Sequence, residues 1–217
     1  GKFLGEESMY FWSNNRNKKS VSINFRTDEG KQILHKLIEK SDIILENFRP
    51  GTMEKMGFGW DKVHEINPKI IMGSISGYGA GSPFQHRPGF DSMISAQSGI
   101  MDINRSDSDG PKITGGIWFI DILAGMWTAI GVLAALHRRE TTGVGEYVDT
   151  SMYDSALFVM NQLLPYADKT GEISRSSLKN AYDCPAGRYR CKDGYVICLA
   201  GSDGLFQRLL TLTDDPF

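Results

Sequence analysis

Asp42-Ile43-Ile44-Leu45-Glu46-Asn47-Phe48-Arg49-Pro50-Gly51 decides how the rest of the chain is read. The apolar run between Asp42 and Glu46 is too short for a helix and reads as a buried parallel strand. Asn47–Gly51 then forms the turn at its C-terminal end. Pro50 and Gly51 lead into a short helix over about Thr52–Met56. After Gly57-Phe58-Gly59 a second short helix runs from Trp60 to Ile66, stopped by Asn67-Pro68. Ile70–Ile75 is the next strand, and Ser76-Gly77-Tyr78-Gly79-Ala80-Gly81-Ser82-Pro83 is a glycine-rich loop beyond it.

Working upstream, Ser20–Phe25 alternates like a short strand. Thr27-Asp28-Glu29-Gly30 opens a helix capped by Thr27 or Asp28, with Ile33, Leu34, Leu37 and Ile38 at helical spacing. Glu6–Ser20 is polar and aromatic and reads as a surface loop. Strand and helix alternate at the spacing of an α/β fold: a Rossmann-like parallel sheet with helices on both faces. Ligands of open parallel sheets bind beyond the C-terminal strand ends. The loops Asn47–Gly51 and Ser76–Pro83 are therefore expected at the site.

Working downstream, Asp121 is the lone formal charge in Ile117–Trp127, a greasy run entered through Gly115 and Gly116. An unpartnered ionised carboxylate in apolar surroundings is costly, so Asp121 is either tied to a structural partner or held for chemistry. The helix after it reaches about Arg139. Asp121, read as the residue just before that helix, is expected to cap its N–H groups, which also favours the charged form. Ile117–Leu136 has the length of a membrane span, but Asp121 and Thr128 interrupt it, and a buried helix is expected. Glu146–Asp149 is a short strand and Met152–Leu164 an apolar helix. Asp149 and Asp154 are read as structural carboxylates, and His35, His64 and His137 as surface residues. Cys184–Ala200 has hairpin character about Lys192-Asp193-Gly194, with Cys198 in a core. These elements divide the chain into a large domain over 1–167, a linker over 168–182 and the start of a smaller α/β domain over 183–217.

The 217 residues are 41% hydrophobic and 23% charged, with a net charge of −2. That composition is globular, and it provides no basic field for nucleic acid or anionic lipid. Cys184, Cys191 and Cys198 fit no zinc spacing, so no metal site is expected. An odd cysteine count without a secretory leader points to a reducing cytoplasm. The glycine-rich loop fits neither the phosphate-binding loop of nucleotide hydrolases nor the dinucleotide fingerprint. Arg26, Lys55 and Arg87 flank loops at the inferred sheet edge and are candidates for meeting a polyphosphate. Phe48 is a candidate to stack on a base, with Asn47 at its edge.

Several motifs in order carry a resemblance: Asn17-Lys18-Lys19-Ser20-Val21, Glu46–Gly51, Met56-Gly57-Phe58, Ile66-Asn67-Pro68, Ser74–Gly79, Pro88-Gly89-Phe90-Asp91 and Gly143–Asp149. Over essentially its whole length the chain resembles the class III CoA-transferases, the CaiB–BaiF family. The resemblance implies that Asp121 is the catalytic aspartate. It implies a CoA pocket at Ile23, Asn24, Phe25 and Arg26, with adenine near Asn47 and Phe48. Thr52, Lys55 and Met56 follow on the next helix, and Arg87 lies near the phosphates. CoA is then substrate and product, with no tightly bound cofactor. The partners implied are an acyl-CoA, a small carboxylic acid and a second copy in an interlocked homodimer. The resemblance also implies a strand before Gly1 and most of the second domain after Phe217.

Racemases and epimerases of the same family place a His before an acidic residue, where this chain has Phe90-Asp91. His86 is the nearest imidazole. The reading is therefore CoA transfer through an aspartyl anhydride and an aspartyl-CoA thioester. An α-methylacyl-CoA racemase and a non-catalytic CoA-binding module are the alternatives. Gly115, Gly116 and the Ser76–Ser82 loop are the candidate oxyanion donors.

Overall fold

The computed structural model describes residues 3–105, 110–112, 117–173 and 186–213, and its contacts divide the chain into two compact units, Gly1–Ser41 and Asp42–Phe217. In the first unit, β1 (Phe3–Leu4) and β2 (Glu7–Ser8) form a small antiparallel pair, followed directly by α1 (Met9–Asn14). Ser8 caps α1 by accepting from Phe11 N–H. The polar, aromatic stretch read as loop is therefore partly ordered. Ser20–Phe25, by contrast, carries no ladder and is largely exposed, with Val21 66% accessible. Alternation marks a strand only where a neighbour takes the backbone hydrogen bonds. α2 (Asp28–Lys40) begins as read, with Thr27 Oγ1 accepting from Gly30 N–H. Gly30 has no room for a side chain: a Cβ there would sit 1.9 Å from the Asn24 carbonyl oxygen.

The second unit holds a three-stranded parallel sheet in the order β3 (Ile43–Glu46), β4 (Ile71–Ser76), β5 (Tyr147–Ser151). The chain passes from β3 to β4 through α3 (Thr52–Met56) and α4 (Trp60–Ile66), both as read. From β4 to β5 it passes through α5 (Asp91–Ser98), α6 (Ile100–Ile103) and α7 (Phe119–Thr142). Central β4 is buried almost throughout. β3 is parallel as expected but not buried: Leu45 is 65% exposed on this outer strand. Apolar composition fixed the strand type here, not its place in the sheet.

α7 lies on β4 and β5. Its inner face, Ile120, Ala124, Thr128, Val132 and Ala135, is buried. Two glycines let it approach. A Cβ on Gly73 would meet the methyls of Thr128 and Val132 at 3.1 and 3.2 Å, and one on Gly131 would meet Val148 at 2.6 Å. Within this packed face the Thr128 and Thr150 hydroxyls are 2.9 Å apart. Thr128 donates to the Ala124 carbonyl at 2.8 Å, so Thr150 donates to Thr128. Arg139, in the last turns of α7, reaches the Lys69 carbonyl at 2.9 Å and Asp42 at 2.9 Å, tying that end to the strand entries.

α7 is long and apolar enough to cross a membrane, but its inner face is built into the sheet. Its outer face, Phe119, Ile122, Met126, Ile130 and Leu133, is exposed and equally apolar. At its first turns α7 joins Tyr78, Ile94, Ile100, Met152 and Ala156 in one core cluster. Ile94 and Ile120 are fully buried there, each contributing about 1.5–3 kcal/mol of apolar burial.

After β5 the expected single helix is two, α8 (Met152–Val159) and α9 (Leu163–Thr170), separated by a turn in which Leu163 N–H bonds Met160 O. The hairpin forms as β6 (Ala186–Arg190) and β7 (Tyr195–Leu199), antiparallel, followed by α10 (Asp203–Thr213). Cys198 is only half-buried, and its neighbours Tyr195, Ile197 and Leu199 are exposed, so it is not a core residue. A two-stranded hairpin alone has no second layer to bury either face. Cys184 and most of the 168–182 linker lie outside the described residues.

Candidate active site

Asp121 is the third residue of α7 rather than the residue before it. The preceding Trp118 makes no side-chain cap. The cap comes from Asp91, the first residue of α5. Asp91 Oδ2 accepts the backbone N–H of Ile120 at 2.7 Å and that of Asp121 at 3.2 Å. Asp91 is 5% exposed. The expected capping role thus belongs to a different carboxylate, and the Asp121 side chain is left free of it. Asp91 stands in the sequence as part of the Phe90-Asp91 pair, but its capping role is not local: the contact spans 30 residues, and the one nearby signal is an acid at a helix start just after Pro88-Gly89.

Partial burial pushes the Asp121 carboxyl above the usual carboxylate range, and the neighbouring Asp91 charge pushes it further the same way. The residue nonetheless keeps much of its surface in solvent. Around it the surface is apolar: Ile117, Trp118 and Ile122 are all exposed. One turn along, nothing beyond the helix's own nearby backbone lies within 4 Å of where a Gly125 Cβ would stand.

Asp91 is held in place by a backbone crossing. A Cβ on Gly89 would lie 2.4 Å from Gly77 Cα, and one on Gly77 would lie 2.7 Å from Gly89 Cα. Only glycine on both strands of the crossing allows this approach. The Gly77 carbonyl also accepts Tyr153 N–H at 3.0 Å, which joins the glycine-rich loop to α8. Three of the loop's own donors are occupied. Gly79 N–H goes to Ser76 Oγ, Ala80 N–H to Asp149 Oδ2 at 2.7 Å, and Gly81 N–H to Gln85 Oε1. These three N–H groups are therefore not open to an oxyanion. Gly115 and Gly116 lie outside the described residues.

At the C-terminal strand ends, Glu46, Ser74 and Asp149 stand in register across the sheet. Ser74 Oγ donates to Glu46 Oε1, and Glu46 Oε2 accepts Phe48 N–H at 2.7 Å. Burial pushes the Tyr147 hydroxyl pKa up; the Ser74 hydrogen bond opposes this, while Asp149, Glu46 and Glu54 add to it. These groups and Arg49 line a cleft of about 40 Å³, room for a water or so. A larger cleft of about 380 Å³ runs along the flank of β5, between Trp127, Gly131, Asp154 and Phe158. Asp121 lines neither.

The other residues read from the sequence fall into three places. Asn47, Phe48, Thr52, Lys55 and Met56 cluster along the end of β3 and α3. The Asn47 amide donates to the Ile75 carbonyl at 2.6 Å, bracing two strand ends, and Phe48 is exposed. Lys55 is exposed; Thr52 and Met56 are half-buried. Ile23, Asn24, Phe25 and Arg26 belong to the Gly1–Ser41 unit, where they form a turn rather than a strand. Asn24 Oδ1 accepts Arg26 N–H at 3.1 Å. Arg87 is exposed, its guanidinium 4.4 Å from the Phe84 ring centre, and His86 beside it is exposed too. Asp149 is structural, as read, through Ala80. His64 is half-buried against the Trp60 ring, 4.8 Å between centres, rather than on the surface.

The sequence profile of CoA-transferase family III matches residues 1–217. The chain belongs to that family. It is 37% identical over 213 residues to the succinyl-CoA–L-malate CoA-transferase beta subunit of Chloroflexus aurantiacus, covering 97% of this chain and 53% of that protein. It is 32% identical to the acetyl-CoA:oxalate CoA-transferase of Acetobacter aceti, over 100% of this chain and 56% of that one. Among solved structures, a CaiB/BaiF family protein from Brucella suis superposes with a TM-score of 0.82 at 32% identity. That match covers 92% of this chain and 53% of the other. The chain thus spans about half the length of the curated relatives it matches, and the parallel α/β architecture is that of the family.

Proposed function

We propose that the protein moves CoA from an acyl-CoA donor to a free carboxylic acid, with Asp121 as the nucleophile. The observation that carries this reading is the family match over 1–217 joined to the position of Asp121: a carboxylate in the first turn of α7, released from capping because Asp91 caps instead. The Asp121 carboxylate attacks the donor thioester carbon and expels CoA thiolate, leaving a mixed anhydride. The thiolate attacks the aspartyl carbonyl of that anhydride and releases the donor acid, leaving an aspartyl-CoA thioester. The acceptor carboxylate attacks this thioester, forming a second anhydride and freeing the thiolate again. Attack of the thiolate on the acceptor's acyl carbon gives the new acyl-CoA and restores Asp121. Only acyl substitutions are involved, so electrons and protons balance without a redox step.

Relatives named for malate and for oxalate support a small dicarboxylic acid as acceptor. CoA contacts are assigned to Ile23–Arg26, Asn47, Phe48, Thr52, Lys55, Met56 and Arg87. The protein acts as a homodimer in this reading. The exposed apolar surface at Ile117, Trp118, Ile122 and Met126 surrounds the nucleophile, and a second copy seated there would exclude water from the reacting carbonyl.

The test is incubation of the intact protein with a panel of acyl-CoA donors and free acids, read by mass spectrometry. Exchange of thioesters and a hydroxylamine-sensitive adduct on Asp121 are expected. CoA binding with neither exchange nor adduct would leave a binding module instead. Deuterium entering the α-carbon of a recovered acyl-CoA would make it a racemase.

A further inference from the structure

We infer that Asp91 is a positioning residue for Asp121: buried at the start of α5, it fixes the first turn of α7 and places a second carboxylate beside the nucleophile. This rests on the reading of Asp121 as nucleophile and deepens it.

The geometry is specific. One oxygen of Asp91 takes the N–H groups of two successive residues, Ile120 and Asp121 itself, at 2.7 and 3.2 Å. Those are two of the four donors that a helix start leaves without partners. Trp118 offers them no side chain, so the cap is supplied by this long-range contact. The bond to Asp121 N–H ends on the nucleophile's own backbone. Any shift of Asp91 therefore moves the reacting carboxylate. Asp91 in turn cannot drift, because Gly89, two residues before it, is locked against Gly77. Helix α5 carries Asp91 straight into the core through fully buried Ile94.

The same proximity places two carboxylates at one helix end. Burial and then the Asp91 charge hold the Asp121 carboxyl above its ordinary range. The elements packed on α7 bring few other ionisable groups. α5 carries only Asp91; α8 carries Tyr153 and Asp154; β5 carries Tyr147 and Asp149; β4 carries none. Asp154 faces the cleft beside Trp127 and Gly131, further along the helix. Asp149 is bonded to Ala80, and Tyr147 sits in the Glu46–Ser74 cluster. Asp91 is the neighbour whose charge acts on Asp121.

Two substitutions separate its two roles. Asp91→Asn keeps an oxygen acceptor for the helix N–H groups and removes the charge. The acid limb of the kcat/KM profile should move to lower pH, with melting temperature near that of the parent and KM for acyl-CoA unchanged. Asp91→Ala removes the acceptor as well, and kcat should fall on the order of 100-fold at unchanged KM, the size of a small misplacement of a reacting group. Should Asp91→Ala fail to fold, the Asp91→Asn profile alone decides. An acid limb in Asp91→Asn that coincides with the parent's, or an Asp91→Ala enzyme with parental kcat, overturns the proposal. Loss of the adduct in the unsubstituted protein would overturn the nucleophile reading instead, so the two failures are distinguishable. All measurements use the intact protein.

Discussion

Gly89→Ala puts the geometry of the site under the most direct strain. The new Cβ would stand 2.4 Å from Gly77 Cα and 3.4 Å from both Gly77 N and Ile94 Cδ1. Ordinary contact begins near 3.4 Å, so the two backbones must part by roughly 1 Å, and neither is a flexible side-chain end that can swing away. Overpacking of this kind costs about 1–3 kcal/mol. For a protein of this size that lowers the melting temperature by several degrees, at roughly 2–4 °C per kcal/mol. The kinetic effect should be larger than the thermal one. Asp91 lies two residues on, and a displacement near 1 Å passed through its carboxylate to Asp121 should lower kcat on the order of 100-fold. Scanning calorimetry and steady-state thioester exchange on the intact protein measure the two effects. Gly204→Ala is the control, since nothing beyond its own helix's nearby backbone lies within 4 Å of its added methyl. A Gly89→Ala protein with parental melting temperature and parental kcat would refute the claim that the crossing positions the site.

Asp121→Asn should lose turnover on the order of 10⁴-fold or more, the scale for removing a nucleophile, while melting at a higher temperature at neutral pH. The sign follows from the folded carboxyl titrating above 3.8. Well below 3.8 both states are protonated; as pH rises the unfolded chain ionises first and stability drops until the folded carboxyl has followed. The gain from Asn should therefore vanish in melting scans run well below 3.8, and a gain that persists there contradicts the linkage. Thr128→Val leaves the buried Thr150 hydroxyl without its acceptor and should cost about 1–3 kcal/mol in urea unfolding; the Thr128→Val, Thr150→Val pair should recover much of it. Gly125→Ala meets open space within a helix and should stabilise by about 0.4–1 kcal/mol, read as a higher urea midpoint.

Much of the chain's helix and strand content was legible because its cues are local. Pro50-Gly51 and Gly57-Phe58-Gly59 punctuate α3, and Asn67-Pro68 ends α4. Thr27 caps α2 where its hydroxyl predicts. Apolar runs named β3 and β4 as parallel strands. What could not be read is whatever depends on a distant neighbour. Leu45 is as apolar as Ile71, yet one is exposed on an outer strand and the other fully buried. Ser20–Phe25 has a strand's alternation without a strand's partner. Asp121 was visible as the lone charge in a greasy run. That it does not cap α7, and that Asp91 does, depends on a contact across 30 residues that no local window of sequence spans.

α7 is oily around most of its circumference, and an oily rod has little reason to prefer one rotation about its axis over another. The paired hydroxyls of Thr128 and Thr150 and the Asp91 oxygen at its tip supply that reason, acting as two pins that set its azimuth. With the angle fixed from within, the outward stripe from Phe119 to Leu133 can change its residues without rotating the helix or moving the Asp121 carboxylate at its first turn.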